Sequence, residues 1–304
     1  MVSPDSLRAR SQTVVTRHPT GVSVIVPFRN AERHVGEAIE SLVGQRSSDF
    51  YEVVAVDNGS RDRSRSIVES YRSRLPLRLV DATRLPNRSC ARNAGVRASR
   101  SAILIFVDAD DVVDEGYVEA LSSALVRYPF VTSRVDSETL NAPWVRGAHG
   151  TPWQADGVET FFEFLPAAGA NIGIRREVFD QLGGFDEHFV ACEDIAFSWT
   201  ARLQLGLEPH FVRDALYKYR YRHSIADLYC QAVTWGRGQV RLYEHFGSRG
   251  MPSRPVEQAW REWCEAASRF ARARSRRERA PLAVRLGCCA GRLHESVRRQ
   301  VFFL

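Results

Sequence analysis

From Val22 onward the hydrophobic positions follow a repeating two-part pattern. Short, nearly unbroken apolar runs alternate with stretches in which apolar residues recur every three or four positions. The runs "VSVIVPF" (22–28), "YEVVAVD" (51–57), "LRLVDA" (77–82) and "AILIFVDADD" (102–111) predict strands, and continuous apolar runs belong to strands buried on both faces. Between them, Val35, Ile39 and Leu42 share one helical face, with Asn30 as the expected N-cap. A polar helix is expected through Ile67, Val68 and Tyr71, and "CARNAGVRAS" (90–99) predicts a short helix. Alternation of this kind implies an α/β fold with a doubly wound, mostly parallel sheet and right-handed crossovers. Such sheets bind ligands beyond the carboxyl ends of their strands. Three of those ends are polar here: Asn30, Asp57 with Asn58, and Asp108 with Asp110.

The rhythm weakens after Tyr117. "YPFVTSRVDS" (128–137) predicts a further strand and residues 141–157 a loop. "ANIGIRREVFDQLGGFDEHFV" (170–190) predicts strand, helix and a Gly-Gly turn. "CEDIAFSWTARLQLGL" (192–207) predicts a helix with Ile195, Trp199 and Leu203 on one face, and "HFVRDALYKYRYRHS" (210–224) a strand. From Ser224 the chain is helical and Arg-rich, with Pro281 dividing two helical stretches. The organisation expected is a polar tail (1–20), an α/β domain (21–225) and a helical C-terminal extension (226–304).

Composition narrows the class without naming a function. The chain has 304 residues, 44% of them hydrophobic and 26% charged, which suits a folded domain with a sizeable core. The net charge of +6 comes almost wholly from arginine, since Lys218 is the only lysine. An excess of this size suits an anionic substrate, anionic lipid or nucleic acid, and equally a solvated surface. The first 20 residues lack the apolar core of a secretory signal, and no run approaches the roughly 18 apolar residues of a membrane span. Six cysteines without a CxxC pair or framework spacing point to reduced thiols and a cytoplasmic protein.

The chemistry concentrates at strand ends and one helix start. Asp108-Ala109-Asp110 places carboxylates at i and i+2 beyond a buried strand, where both can converge on one hard cation, Mg²⁺ or Mn²⁺, together with substrate phosphate oxygens. The other reading is an N-cap, with Asp110 or Asp111 capping the segment from Asp114. Three crowded acids also need either a cation or a bound proton to coexist. Asp57, followed by Asn-Gly-Ser, reads either as an acceptor for a pyrimidine imide or ribose hydroxyl, or as turn chemistry. Glu193 and Asp194 open a helix, where acids are favoured electrostatically. Alternatively, one of them is a general base for a hydroxyl that must lose its proton as it attacks. His223 reads as a surface histidine or as a further metal ligand.

Taken together, "VSVIVPFRNAE" (22–32), "VVAVDNGSRDRS" (53–64), "ARNAG" (91–95), "FVDADD" (106–111), "GGFDEHF" (183–189) and "CEDIAFSWTARLQ" (192–204) resemble glycosyltransferase family 2, inverting enzymes of the GT-A fold. The resemblance covers about residues 21–225, and the full series is specific where no single piece is. It implies a catalytic domain in which Pro27, Phe28, Asn30 and Glu32 line the nucleotide pocket. Asp57 contacts the base and Arg92 lies near the base or phosphates. Asp108 contacts ribose or metal, Asp110 binds the metal that bridges the diphosphate, and Asp194 is the base. Asn58 stands where members often carry a second aspartate. Cys192 stands where they often carry glycine, so the acceptor loop is expected to differ in shape.

The function expected is metal-dependent, inverting transfer from a nucleotide-diphosphate sugar to a hydroxyl acceptor, a lipid-linked or envelope glycan or a small glycoside. Two alternatives share the sheet: a non-catalytic sugar-nucleotide binder, and a nucleotidyltransferase. "PFRNAERH" lacks the glycine-rich phosphate loop of the latter, and retention of Asp110 and Asp194 argues against the former. No nucleic-acid module is recognisable in the Arg-rich tail. Its alternation of Arg with Leu, Val and Phe fits a helix lying on an anionic membrane at the inner face of the plasma membrane. It fits equally a helix packed on the catalytic domain or on a second subunit of a homo-oligomer.

Overall fold

The computed structural model describes residues 21–45, 51–84, 87–149, 155–169 and 171–304. The N-terminal tail, residues 1–20, and part of the loop expected at 141–157 lie outside them. In chain order the first half comprises β1 (Val22–Phe28), α1 (Val35–Glu40), β2 (Tyr51–Asp57), α2 (Ser64–Glu69), β3 (Leu77–Asp81), α3 (Arg88–Ala98), β4 (Ile103–Phe106), β5 (Val112–Val113), α4 (Tyr117–Arg127) and β6 (Phe130–Asp136). There follow β7 (Glu159–Phe161), β8 (Leu165–Ala167), β9 (Ile172–Arg175), α5 (Arg176–Gln181), α6 (Glu193–Leu205), β10 (His210–Lys218), α7 (Ile225–Phe246), α8 (Val256–Arg272) and α9 (Arg276–Arg299).

The expected sheet is present. Eight strands run in the order β3-β2-β1-β4-β9-β6-β10-β5, with β7 and β8 forming a separate hairpin. Strands β1 to β4 are mutually parallel where they pair, and β10 is parallel to β6. β9 runs antiparallel to β4 and β6, and β5 to β10, so the sheet is mixed but largely parallel. The chain builds outward through β1, β2 and β3, then returns to lay β4 on the other side of β1. That reversal opens a crevice at the carboxyl ends of β1 and β4, where Phe28 and Asp108 emerge.

Alternation along the central strands feeds two cores. Val24 and Val26 pack with Ile39, Tyr117 and Leu121 on one face, and Ile25 with Val54, Phe106 and Ala91 on the other. Helix α3 reaches the sheet closely because Gly95 faces it: a Cβ there would sit 2.5 Å from Ile25 and 2.9 Å from Val56. The side chain of Asn93 on the same helix bonds the backbone of Phe185 in both directions, which ties the loop before α6 to α3. The "ARNAG" and "GGF" segments are therefore two halves of one joint.

Four local expectations are corrected. Asn30 is not an N-cap. It takes φ 49°, its Oδ1 accepts from the Arg61 N–H at 2.8 Å, and α1 starts after His34. Leu203 is exposed while Ile195 and Trp199 are buried, because one flank of α6 faces solvent. Pro281 does not divide helices. It lies near the N-terminus of the continuous α9, where the lost backbone bond is one of few, and the division falls between α8 and α9. Cys192 adopts φ 60°, ψ 21°, the left-handed conformation glycine favours, so its side chain does not force a different loop shape.

The helical extension is packed, not free. Helices α7 and α9 run in the same direction, Arg237 pairing with Glu295 and Arg299 with Glu244. Their backbones meet at glycines: a Cβ on Gly236 would lie 2.2 Å from the Cys288 carbonyl, and one on Gly291 2.0 Å from that of Val233. Burial opposes the charge of Glu295, but bonds from Arg298, Arg299 and Arg237 overcome it and hold the carboxyl at about 2. Leu282, Ala283 and Cys289 turn inward, and Phe303 closes a core with Trp199, Val240 and Phe246. No helix among the described residues is long and apolar enough to cross a membrane.

Candidate active site

The acidic end of β4 forms a fixed loop. Oxygens of Asp108, Asp110 and Asp111 lie within 4.8 Å of one another, a hard-oxygen donor set suited to Mg²⁺ or Mn²⁺. The three carboxylates are not equivalent. Burial works against the charge of Asp108, but Arg88 and Arg92, with a bond from Arg92, hold its carboxyl below the usual range. Burial, then the charges of Asp110 and Asp108, push Asp111 well above that range. Both Asp111 oxygens are engaged, one by Tyr217 Oη at 2.8 Å and one by the Arg220 N–H at 2.7 Å. Tyr217 Oη also accepts from the Asp108 N–H, so strand β10 sets the loop's shape. Asp110 alone reaches outward, and the guanidinium of Arg222 meets its Oδ2 at 2.9 Å. A cationic group therefore already sits where a metal cation would bind.

Helix α3 supplies two more arginines. Arg88 and Arg92, one turn apart, face the same anions, which offsets the usual repulsion of like charges at that spacing. Arg92 is 1% exposed and donates to Asp108 Oδ1 and Glu193 Oε1, each at 2.8 Å. Arg88 stands 3.7 Å from the same two carboxylates and is half exposed. Glu193 is thus a buried ion-pair partner. Asp194, the next residue of α6, is only partly buried. Burial, reinforced by the neighbouring Glu193 charge, raises its carboxyl to about 7.

Two cavities meet at these groups. The first, of about 830 Å³, is lined by Pro27, Phe28, Asn30 and Glu32, and reaches Asp108 and Asp110. Of the expected nucleotide-side residues, Asp57 stands behind this wall. Its Oδ1 accepts from the Ser60 N–H at 2.8 Å and its Oδ2 faces Arg65 at 3.4 Å, while Asn58 lines the cavity. Arg92 also stands behind the wall, with Arg88 in front of it. His223 is exposed on the rim, its ring 5.5 Å from that of His34, and it is not among the clustered carboxylate donors, Asp108, Asp110 and Asp111.

The second cavity, of about 510 Å³, holds Asp194, with walls that include His149, Tyr221 and Trp235. Arg88, Asp108, Asp110, Ala191, Arg222, Gln231 and Trp235 line both cavities, so the acidic loop, with the adjoining face of α7, is the partition between them. Helices α7 and α9 build one wall, through Trp235, Gln239, Val284 and Arg285. A Cβ on Gly238 would lie 2.7 Å from the Ala191 carbonyl, so α7 presses directly on the loop before α6.

Arg88, Tyr217, Arg220, Arg222 and Trp235 were not singled out from the sequence. A signal existed for two of them. Arg88 lies four residues before Arg92, and Arg222 follows Arg220 in strand-like alternation beside His223.

Comparison with known proteins agrees with this geometry. The model of glycosyl transferase family 2 matches residues 23–183. The uncharacterized glycosyltransferase EpsJ of Bacillus subtilis is 38% identical over 102 residues, 33% of this chain and 29% of that protein. The glycosyltransferase AglE of Haloferax volcanii is 24% identical over 227 residues, 73% of this chain and 74% of that protein. The chain therefore spans under a third of one relative and about three quarters of the other. The mannosyltransferase PcManGT from Pyrobaculum calidifontis, solved with GDP-Man and Mn²⁺, has the same fold at a TM-score of 0.55 and 20% identity, covering 93% of this chain and 76% of that one. With its motif series, its largely parallel sheet and a family match over more than half its length, the chain belongs to glycosyltransferase family 2 and has the GT-A fold.

Proposed function

We propose that the protein is a metal-dependent, inverting glycosyltransferase, moving a sugar from a nucleotide-diphosphate donor to a hydroxyl acceptor. The observation that carries this is the partition itself. The Asp108–Asp110 loop faces a polar cavity on one side and, on the other, a cavity holding a carboxylate poised near neutrality. In this reading the first cavity takes the nucleotide along Pro27, Phe28, Asn30 and Glu32, with Asp57 shaping the turn that presents Asn58. Asp108 and Asp110 would hold Mg²⁺ or Mn²⁺, which supplies Lewis-acid charge for the departing diphosphate. His223, on the segment that carries Arg222, is the candidate third ligand. The bound cation of PcManGT supports the choice of metal class.

The chain's own groups do the rest. Arg88, half exposed at the partition, puts positive charge where the diphosphate gains negative charge, with no reorganisation at the moment of reaction. Arg92 fixes Asp108 and Glu193, and through Glu193 the start of α6. Asp194 then accepts the acceptor's hydroxyl proton as the oxygen attacks. One displacement with one base inverts the anomeric centre. The helical extension serves as a wall of the acceptor side through Trp235, Gln239, Val284 and Arg285, and its exposed Trp260, Val297 and Phe302 are the apolar positions a membrane or a second subunit would cover.

The reading is tested by following nucleotide-diphosphate release from UDP- and GDP-sugars with Mn²⁺ across pH. Asp194 is a carboxyl raised to about 7, so it is protonated and inactive as a base below that. Turnover is expected to fall about tenfold per unit below pH 7 and to level off above it. The same shift makes the folded state bind the extra proton between the ordinary carboxylate range and 7. Its contribution to stability is therefore full at low pH and lost as pH rises through 7. A pH-independent rate between 5 and 8 contradicts the assignment.

Arg222 gives a separate expectation that needs no turnover. Its guanidinium competes with a divalent cation for Asp110. Arg222→Ala is expected to tighten Mn²⁺ binding to the nucleotide-free protein by about five- to tenfold, or about 1 kcal/mol, since solvent reaches both partners of the pair. It should weaken binding of the nucleotide diphosphate, to which the freed arginine would turn. Calorimetric titration with Mn²⁺ alone, then with UDP or GDP, measures both.

A further inference from the structure

We infer that the second cavity receives an acceptor that is an uncharged polyol ring with one apolar C–H face, a sugar or cyclitol, and not an anionic one. This rests on the proposed transferase reading, and three features of the cavity beyond Asp194 carry it.

The first is the wall. His149 packs 4.4 Å from the ring of Tyr221 and 4.9 Å from that of Trp235, and all three line the cavity with Phe161 and Phe162. Aromatic faces of this kind suit the C–H face of a pyranose or cyclitol ring better than an extended charged chain.

The second is charge. Burial lowers the His149 imidazole to about 4, so this cluster is neutral at physiological pH. Away from the partition and the start of α6, the charged lining residues are Glu159 and Arg285, and Arg285 is paired with Glu265 at 3.3 Å. Arg88 and Arg222, at the partition, already face Asp108, Glu193 and Asp110, and away from the partition the described lining residues offer no clustered, uncommitted arginines of the kind a phosphate-rich acceptor would need on entering a desolvated site.

The third is unmet hydrogen bonding. Gln231 Oε1 and His149 Nε2 are buried without a partner; His149 lines this cavity, and Gln231 lines it where it meets the first. Such groups are costly when left unpaired. Ring hydroxyls supply the O–H donors both can use, Gln231 through its carbonyl oxygen and His149 through Nε2 in the Nδ1–H tautomer, with the side chains drawn toward the ligand. An aliphatic acceptor would leave both unpaired. A volume of about 510 Å³ holds a mono- or disaccharide-sized head, whether a free glycoside or the terminal sugar of a lipid-linked glycan.

Saturation-transfer NMR on the full chain with UDP, GDP and Mn²⁺ tests this without turnover. The probes are methyl glycosides and inositol, their phosphate esters, and the same glycoside on a short uncharged polyprenyl ether chain in neutral vesicles. Transfer concentrated on ring C–H protons of the neutral probes is expected. It should fall at least tenfold in Trp235→Ala and in the near-isosteric Gln231→Leu, with the phosphate esters giving little. Stronger binding of the vesicle-borne glycan than of the free glycoside marks the lipid-linked source; equal binding marks the free one. The inference is overturned if the neutral probes give no transfer, if Gln231→Leu binds them as the wild type does, or if the phosphate esters bind better. Donor hydrolysis by the wild type without acceptor, measured in parallel, reports on the transferase reading alone.

Discussion

Asp194→Asn is expected to lower turnover by about 10²–10⁴-fold while leaving donor affinity nearly unchanged, the loss typical of a positioned proton acceptor. The substitution keeps the shape and the side-chain oxygen that accepts from the Ile195 N–H at 2.8 Å. Folding should therefore be little affected. Glu193→Gln makes the contrast. Glu193 is 2% exposed and pairs with the buried Arg92 guanidinium at 2.8 Å. Weakening that pair should destabilise the fold by about 3 kcal/mol, because it leaves buried positive charge under-compensated. Thermal unfolding and steady-state kinetics on the two variants separate the roles: a kinetic loss in one, a stability loss in the other. If the glutamine variant is stable but inactive and the asparagine variant turns over normally, the base is Glu193.

Asp110→Asn is expected to weaken Mn²⁺-dependent binding of nucleotide diphosphate by about 100-fold with the fold intact. Asp110 is the outward-facing member of its cluster, one quarter exposed, and its side chain closes no core. Asp108 and Asp111 differ, being tied to Arg92, Tyr217 and Arg220. Their replacement should cost stability as well as binding. Calorimetry with UDP or GDP, with and without Mn²⁺, measures the effect, and unchanged affinity in Asp110→Asn removes the metal assignment.

Much of the frame was legible because parallel strands buried on both faces must be apolar throughout. The runs at 22–28, 51–57 and 103–106 are distinctive for that reason, and polar residues stand out where such a run stops. The acidic stretch after β4 was legible on the same ground, including the need to relieve three crowded carboxylates. Their division of labour was not. Which acid faces solvent depends on Tyr217 and Arg220, more than a hundred residues away and brought near by β10. Likewise, Arg222 meets Asp110 only because β10 ends beside β5.

The tail was read for its amphipathic alternation, which a membrane and a neighbouring helix satisfy equally. The distinguishing feature lies in small residues. Gly236, Gly287 and Gly291 let α7 and α9 touch backbone to backbone and turn Leu282, Ala283 and Cys289 toward protein, while Val256, Trp260, Leu293, Val297 and Phe302 stay exposed. Asn30 and Cys192 escaped for a related reason. Their left-handed backbones are imposed by the surrounding loops against the preference of their own side chains.

The anomeric configuration of the product is the most direct test of the central claim, that Asp194 drives a single displacement across the partition. Transfer from an α-linked UDP- or GDP-sugar to an accepted glycoside, with Mn²⁺ and followed by proton NMR, should give a β-linked product from the first turnover. An α-linked product would mean retention, by two displacements or by attack on the leaving-group face, and would contradict the account.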